Sequence, residues 1–308
     1  MDLRQLGYVV AIVDHGGFTR AADALHIAQP SLSQAVRTLE AELGAALFHR
    51  TGRTVVLTAA GEALLGPARQ ALRDADNARA AVAEVVGLAA GHLDVVCLPT
   101  LAVFPVAEVV GQFRRDHPLV TVRLAEPEDA SSVADRVRTG ISEVGFAELP
   151  LPADDLETHE LASHDFLAVL PPGDATGGPR RPRRLSLRSL ATMPLITTPV
   201  GTSMRHQIDG AFAAAGLTPN LAVETDHREV IVALVLAGAG AAILPRPVAE
   251  SAAARGATVR DITPEIRRRV GLVHRRGRLS PAAEAFVRLV LAERTSAPSS
   301  GAPPSDEP

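Results

Sequence analysis

The chain has 308 residues, a hydrophobic content of 46% and a formal net charge of −4. This length is enough for two domains with sizeable cores. No apolar run is long enough for a membrane-spanning helix, a single cysteine excludes an internal disulfide, and no basic region followed by an apolar core begins the chain. We therefore expect a globular, cytoplasmic protein with no membrane partner. The near-neutral charge counts weakly against a nucleic-acid binder.

The first element is predicted to be a helix that Gly16-Gly17 ends, and residues 18–37 follow as two short amphipathic helices joined by a tight turn. Thr19 is expected to cap the first of these helices, and Pro30 suits the first position of the second. The second helix carries short hydroxyls, an amide and one guanidinium on its polar face, a set that suits base edges and phosphates in a major groove. The alternative is an ordinary pair of packed helices with a solvated polar face.

Residues 45–58 are predicted to form two short strands around a turn at Thr51-Gly52-Arg53. A helix, a helix-turn-helix at 18–37 and this β-hairpin together make a winged helix. The sequence here resembles the LysR-type transcriptional regulators. The matching segments, in the family's order, are Phe18-Thr-Arg-Ala-Ala22, Gln29-Pro-Ser-Leu-Ser33, Leu39-Glu-Ala-Glu-Leu-Gly44, Leu47-Phe-His-Arg50 and Leu57-Thr-Ala-Ala-Gly-Glu62. The resemblance covers residues 1 to about 292 and is strongest over the first 65.

The resemblance implies a sequence-specific regulator of transcription that binds double-stranded DNA through the winged helix at 1–58. The winged-helix interpretation also needs the arginines of this region to be gathered on the DNA face. The expected DNA-binding residues are Thr19, Gln29, Pro30, Ser31, Ser33, Gln34, Arg37, Arg50 and Arg53.

Residues 59–90 are predicted to form a long helix, which Thr58 caps, and to link two domains. Its apolar side chains alternate at spacings of four and three, which is the heptad pattern of a helix–helix seam. The seam residues are Leu64, Ala68, Ala71, Ala75, Ala78, Val82 and Val85. The alternative is a single helix packed on its own domain. A homodimer built on this seam predicts an operator that is an interrupted inverted repeat, and the resemblance implies a homotetramer of two such dimers.

Residues 91–293 alternate strands and helices, among them a helix over 105–115 and separate strands over 166–170 and 270–274, which predicts an α/β fold with largely parallel sheets. The resemblance implies a two-lobed effector-binding domain similar to periplasmic binding proteins. Lobe one would comprise about 91–161 and 268–293, and lobe two about 162–267, with crossings near 160–166 and 262–270. The polar segment 294–308 is predicted to be a disordered tail.

Two loops at strand ends are candidates for a small-molecule effector, because helix N-termini beyond parallel strands offer free N–H groups to an anion. The family builds its inter-lobe cleft from the matching positions. The candidates are Thr100, Leu101, Phe146, Thr198, Gly201, Thr202 and Ser203. The alternatives are helix caps and turn residues for the hydroxyls, and core packing for Phe146.

Other patterns indicate no enzyme, no cofactor and no metal site. The ten histidines show no metal-ligand spacing, no phosphate-binding or nucleophile motif occurs, and Cys97 in an apolar strand is interpreted as a buried structural thiol. Arg180-Arg-Pro-Arg-Arg184 is interpreted as a solvated loop, with an anion or DNA-backbone contact as the alternative. Arg267-Arg-Arg269 is expected to balance the acids of its lobe. The competing functions are a cytoplasmic small-molecule binding protein without a DNA role, and an α/β enzyme.

Overall fold

The computed structural model describes residues 1–49, 55–85, 91–151, 155–173 and 184–296. The N-terminal unit contains α1 (Leu3–Asp14), α2 (Phe18–Ala24), α3 (Gln29–Leu43), β1 (Phe48–His49) and β2 (Val56–Leu57). β1 and β2 pair antiparallel, as a wing requires. α1 begins with a reciprocal capping box between Asp2 and Gln5, and α3 ends at Gly44, whose φ of 70° is the left-handed conformation that favours glycine.

Two details of the predicted helix-turn-helix are wrong. α2 begins at Phe18 with Gly17 as its N-cap, so Thr19 lies inside the first turn and caps nothing. α3 begins one residue earlier than expected, at Gln29, which puts Pro30 at the second helical position. Proline is still accommodated there, because the first N–H groups of a helix have no intrahelical acceptor.

The linker helix α4 runs over Ala59–Val85, and the Thr58 hydroxyl caps it by accepting from Gly61 N at 3.1 Å. Its first half packs against α1, where the Arg69 guanidinium pairs with Asp14. Further along, Gln70 Oε1 accepts from Arg275 Nη2 at 3.0 Å, and Arg73 donates to the carbonyl of Gly140. The linker helix therefore contacts both the winged helix and the C-terminal domain.

The C-terminal domain has two hydrophobic cores on one mixed sheet. Lobe one contains β3 (Gly91–Cys97), α5 (Pro99–Leu101), an irregular turn (Ala102–Val106), α6 (Ala107–Asp116), β4 (Val120–Ala125), α7 (Ala130–Arg138), β5 (Val144–Leu149) and α12 (Pro281–Ser296). Lobe two contains β7 (Arg184–Ser186), α8 (Leu187–Ala191), β8 (Leu195–Thr197), α9 (Ser203–Ala214), β9 (Leu221–Glu224), α10 (Arg228–Leu236), β10 (Ala241–Pro245) and α11 (Arg246–Ala254).

Two long strands join the lobes, β6 (Leu156–Leu170) and β11 (Thr258–Arg275), and they pair antiparallel along their length. Leu156 of β6 packs in the core of lobe one and Phe166 in the core of lobe two. β11 runs back the same way, from Ile266 in lobe two to Val270 in lobe one. The fold class is the predicted one, but the sheet is mixed, with the strand order β4-β3-β5-β11-β6-β10-β8-β9 and β7 paired to β11. β6 and β11 pair antiparallel with each other, β11 pairs antiparallel with β5, and β6 pairs antiparallel with β10, whereas the other strand pairs of this sheet are parallel.

Two boundaries also differ from the sequence prediction. α6 is bounded at Ala107 rather than at Pro105, although Val106 already has helical dihedral angles (φ −60°, ψ −41°); only Phe104 is extended, as residues preceding proline prefer to be. α12 continues to Ser296, so the first three residues of the predicted disordered tail are helical. The rest of that tail, 297–308, lies outside the described residues, as does the arginine-rich segment 180–183.

Candidate functional site

The turn between α2 and α3 fixes the angle at which the polar face of α3 is presented. His26 has a φ of 54°, its N–H donates to Asp23 O at 3.1 Å, and the N–H of Ile27 donates to Ala22 O at 3.0 Å. This pair of bonds is the Schellman arrangement, normally completed by glycine at the left-handed position. The short turn fixes the orientation of α3, and the apolar side of α3 packs on the core of the winged helix.

The buried and exposed sides of α3 separate as the sequence predicts. Leu32, Val36 and Leu39 are buried in the core of the winged helix. The opposite side carries the expected DNA-binding residues: Gln29, Pro30, Ser31, Gln34 and Arg37 are exposed, and Ser33 is partly buried. Gln29 Nε2 donates to Ser33 Oγ at 2.9 Å, and Thr19 on α2 is also exposed. The wing residues Arg50 and Arg53 lie outside the described residues.

The predicted seam on α4 is partly used within the chain. Ala68 is buried and Leu64 packs on the core of the winged helix. Ala71 and Ala75 are partly buried, Ala78 is exposed, and the side chains of Val82 and Val85 are outside the described set. Leu64 and Ala68 therefore stabilise the chain's own N-terminal unit. Ala71, Ala75 and Ala78 keep exposed surface that a partner helix could cover.

At the N-terminus of α9, two of the predicted hydroxyls serve the fold. Thr202 is the N-cap, its Oγ1 accepting from Arg205 N at 3.3 Å, and it shares a 2.6 Å hydrogen bond with Thr198 Oγ1. Both threonines are buried, whereas Gly201 beside them is exposed with a φ of 94° and open space where a Cβ would lie. The cap interpretation therefore accounts for Thr198 and Thr202.

The third hydroxyl at this helix end, that of Ser203, already binds a carboxylate that belongs to the other lobe. Ser203 Oγ donates to Glu148 Oε2 at 2.9 Å, and Gln207 Nε2 donates to the other oxygen of the same carboxylate. Glu148 lies near the end of β5 in lobe one, whereas Ser203 and Gln207 are on α9 of lobe two. A second inter-lobe contact joins Arg228 to Glu128 as a bidentate ion pair. The lobes are thus tied together by the protein's own carboxylates.

Thr100 contacts a residue that the sequence did not single out, Arg268 on β11. Arg268 Nη1 donates to Thr100 Oγ1 at 2.7 Å, and the guanidinium lies over the Phe166 ring at 5.4 Å from its centroid. Only 2% of Arg268 is exposed, and its Nε and Nη2 have no hydrogen-bond partner among the described residues. Burial lowers the pKa of Arg268 to about 10, which nearby Glu148 opposes, so the group is charged at neutral pH. Arg268 therefore forms no ion pair among the described residues, whereas its neighbours Arg267 and Arg269 pair with Asp165 and Glu160, as the sequence predicted for this arginine run.

A neutral histidine lies beside this charge. His164 pairs with Arg268 across β6 and β11, and its ring is 5.7 Å from that of Phe104. Burial and then the charge of Arg268 lower the pKa of His164 to about 4, against a raising effect of Asp165. The buried Arg268 and His164 and the partly buried Thr100 thus form a polar group bordered by aromatic rings, where the two lobes meet.

Three remaining candidates belong to the core of lobe one. Phe146 and Leu101 are both fully buried there, and Phe146 packs edge-on against Phe286. Phe146 is therefore a core residue, not the wall of a cleft. Cys97 is buried in the same core, and burial raises the pKa of its thiol to about 12, which keeps it protonated and unreactive.

The two units define the class of this protein: a winged helix-turn-helix joined by a long helix to a two-lobed α/β domain is the architecture of a ligand-responsive transcription regulator. Comparison with known proteins makes this specific. Residues 3–62 match the family "Bacterial regulatory helix-turn-helix protein, lysR family", and residues 86–295 match "LysR substrate binding domain". The chain belongs to the LysR family and is a DNA-binding transcription regulator with an effector-binding domain.

Relatives span nearly the whole chain. It is 36% identical to the SDS degradation transcriptional activation protein of Pseudomonas sp., covering 98% of this chain and 99% of the relative. Among solved structures, a full-length OxyR variant from Pseudomonas aeruginosa has a TM-score of 0.73 at 26% identity, covering 96% of this chain and 95% of the other. Full-length CbnR complexed with its target DNA has a TM-score of 0.62 at 25% identity, covering 95% and 99%. No helix among the described residues is long and apolar enough to cross a membrane.

Proposed function

We propose that residues 1–58 bind the operator, that 59–90 pair two chains, and that 91–293 bind a small organic anion between the lobes. In this arrangement Gln34 and Arg37 contact base edges while Ser31, Ser33 and the wing arginines Arg50 and Arg53 contact phosphates. The operator is then an interrupted inverted repeat. We further propose that the regulator acts in the cytoplasm and catalyses no reaction.

The DNA part is tested by a gel shift and footprint on the DNA upstream of the protein's own gene. The double variant Gln34→Ala, Arg37→Ala is expected to lose at least about tenfold in operator affinity, since each good base contact is worth about 1–3 kcal/mol. Arg115→Ala is the matched control, because Arg115 is an exposed arginine on α6, far along the chain from α3. An unchanged footprint and affinity for the double variant would show that another surface reads the DNA.

The anionic character of the effector rests on one observation, the buried guanidinium of Arg268 with two nitrogens unpartnered among the described residues. A buried charge without a counter-ion is costly, so an anion that reaches it gains strongly from binding. We assign to the same site Thr100, which already bonds Arg268, and Ser203 at the N-terminus of α9, whose hydroxyl already binds a carboxylate. The relative named for SDS degradation suggests an alkyl sulfate as one anion to try.

Thermal unfolding with hexyl sulfate, benzoate or inorganic sulfate tests this, because a ligand that binds only the folded state raises its apparent stability. We expect one of these anions to raise the Tm of the wild-type protein more than sodium chloride of equal ionic strength does. Arg268→Met should lose that response, whereas Arg269→Met should keep it, since Arg269 is 55% exposed and pairs with Glu160. Equal responses in both variants would remove Arg268 from the site.

A further inference from the structure

A cluster of three potential metal ligands lies away from the inter-lobe site, at the lobe-one end of β6 and β11. It consists of Glu157 and His159 on β6 and His274 on β11, whose ligand atoms all lie within 4.8 Å of one another. The two histidines are 115 residues apart in the chain. No local spacing pattern can reveal such a pair, which explains why the sequence indicated no metal site.

The pairing of the two strands places the three side chains on one face of the sheet. His274 pairs directly with Glu157, and Leu272 with His159, so Glu157 and His159 share the face of His274. The register of β6 shifts between the pairs of Val270 and Gly271, where Leu161 is the extra residue. Without this bulge, Glu157 and His159 would face the opposite side, because a one-residue slip exchanges the faces.

Two of the three distances between ligand atoms match a tetrahedral zinc site, and the third, between Glu157 and His274, is within 4.8 Å. His159 Nε2 lies 3.2 Å from His274 Nε2 and 3.4 Å from Glu157 Oε1. With zinc bonds of about 2.0–2.1 Å, two ligands on a tetrahedron are about 3.3 Å apart. One ion between these atoms therefore needs no large movement of the backbone.

The hydrogen bond on the far side of His274 also favours a metal. His274 Nδ1 lies 2.8 Å from the carbonyl oxygen of Arg275, which can only accept, so Nδ1 carries the proton and Nε2 has its lone pair free. Metal-binding histidines are characteristically held this way, through the second ring nitrogen. His274 is 5% exposed, whereas His159 and Glu157 are 26% and 50% exposed, so solvent reaches the site from one side.

We propose that Glu157, His159 and His274 form a binding site for one Zn²⁺ ion per chain. Two imidazoles and a carboxylate are ligands that zinc prefers, and a water completes the fourth position from the solvent side. The ion would join β6 to β11 within lobe one. It would also lie one residue from Arg275, which contacts the linker helix through Gln70.

The test is isothermal titration of tag-free full-length protein, first treated with a chelator, with ZnCl₂ as the only ligand. We expect one ion bound per chain. Loss of an outer-shell partner alone costs about 10–100-fold in metal affinity, so His159→Gln, which removes a ligand, should weaken binding by at least about a hundredfold and Glu157→Gln by at least about tenfold, with the buried His274 left in place. Both altered residues are partly exposed, so the variants are expected to fold, which circular dichroism checks.

The matched control is His227→Gln, because His227 lies 3.7 Å from Asp226 and 3.6 Å from Glu229 but has no second histidine in its cluster among the described residues. It should bind zinc as the wild type does. Replacing Zn²⁺ with Co²⁺ should give the visible absorption of a tetrahedral cobalt site, absent in His159→Gln. Zinc binding that is missing in the wild type, or equal in His159→Gln, would overturn the proposal and leave a hydrogen-bonded histidine pair.

Discussion

Arg268 carries a buried positive charge that forms no ion pair among the described residues. Its neighbours are one hydroxyl, one aromatic face and, farther off, the Glu148 carboxylate. Replacing a buried ionic group with a well-packed apolar side chain is often neutral or stabilising by about 1–4 kcal/mol. A residue that costs stability in this way is typical of a binding site rather than of a structural ion pair.

Arg268→Met is therefore expected to raise the free energy of unfolding by about 1 kcal/mol while it removes the response to anions. Urea denaturation without added anion measures the first effect. Arg269→Met, on the exposed neighbour, should leave the unfolding midpoint close to that of the wild type, since surface substitutions change stability little. A loss of more than about 2 kcal/mol in Arg268→Met would instead make the guanidinium a structural group, as expected for a buried partner whose removal breaks a network.

His164 makes a pH-dependent contribution to stability. Its pKa is lowered from 6.5 to about 4 by burial and by Arg268, so between these values the unfolded chain binds a proton that the folded chain does not. Stability from this group is complete above pH 6.5 and is lost as the pH falls towards 4. We expect wild type to lose about 2 kcal/mol more than His164→Gln across that window, as measured by urea denaturation. Parallel losses in the two proteins would contradict the buried neutral imidazole.

The candidate residues that belong to local motifs could be predicted from the sequence, whereas Arg268 could not. Thr100 and Ser203 follow strand ends, which the alternation of elements predicts, and Thr202 at the same strand end is a helix cap. Arg268 lies in the run Arg267-Arg-Arg269, which looks like a solvated charge cluster, because alternation along a strand shows which residues share a face but not which face is buried. For the same reason the sequence left Phe146 open between the wall of a cleft and a core position, and the structure places it in the core.

At the scale of elements, the linker helix α4 divides its surface between two uses. Leu64 and Ala68 pack on the winged helix, whereas Ala71, Ala75 and Ala78 are less buried in the single chain. The heptad spacing predicted one continuous seam, but periodicity cannot distinguish contacts within a chain from contacts between chains. The small side chains of Ala71, Ala75 and Ala78 allow a second helix to approach closely.

Ala75→Glu should convert the protein to monomers, because two opposed carboxylates would be buried where the helices meet. Size-exclusion chromatography with light scattering measures the mass, and a gel shift should show at least a tenfold loss of operator affinity at about 1.4 kcal/mol per tenfold. Ala63→Glu is the control, since Ala63 is exposed on α4 and outside the seam. A stable dimer of Ala75→Glu would refute this part of the seam.

The long strands show what limited the prediction of elements. The hydrophobicity pattern predicted separate short strands near Phe166–Leu170 and Val270–His274, but each is the end of a strand that crosses both lobes. The crossing segments carry polar residues such as Glu160 and Arg269, which pair across the two strands. Cross-strand ion pairs let charged residues occupy a strand, and a hydrophobicity pattern does not detect them.

At the scale of the whole molecule, the lobes are held together by acceptors that resemble an anionic ligand. The Glu148 carboxylate accepts hydrogen bonds from Ser203 and Gln207, and the Glu128 carboxylate forms an ion pair with Arg228. An effector changes the relative orientation of the lobes only by binding one orientation better than the other. An anion that competes with Glu148 for the N-terminus of α9 would have that differential affinity, because it replaces one inter-lobe contact with another.

Glu148→Gln tests this competition. The variant keeps the shape of the side chain but removes the negative charge from Ser203 and from the neighbourhood of Arg268. We expect the affinity for the anion that stabilises the wild type, among hexyl sulfate, benzoate and sulfate, to rise by about tenfold, equivalent to about 1.4 kcal/mol of relieved repulsion. Titration calorimetry measures it, with Glu108→Gln, an exposed acid on α6, as the control for net charge. If the affinity for the anion falls in Glu148→Gln, the Glu148 carboxylate helps to bind the effector by orienting Arg268 and does not compete with the effector for the N-terminus of α9.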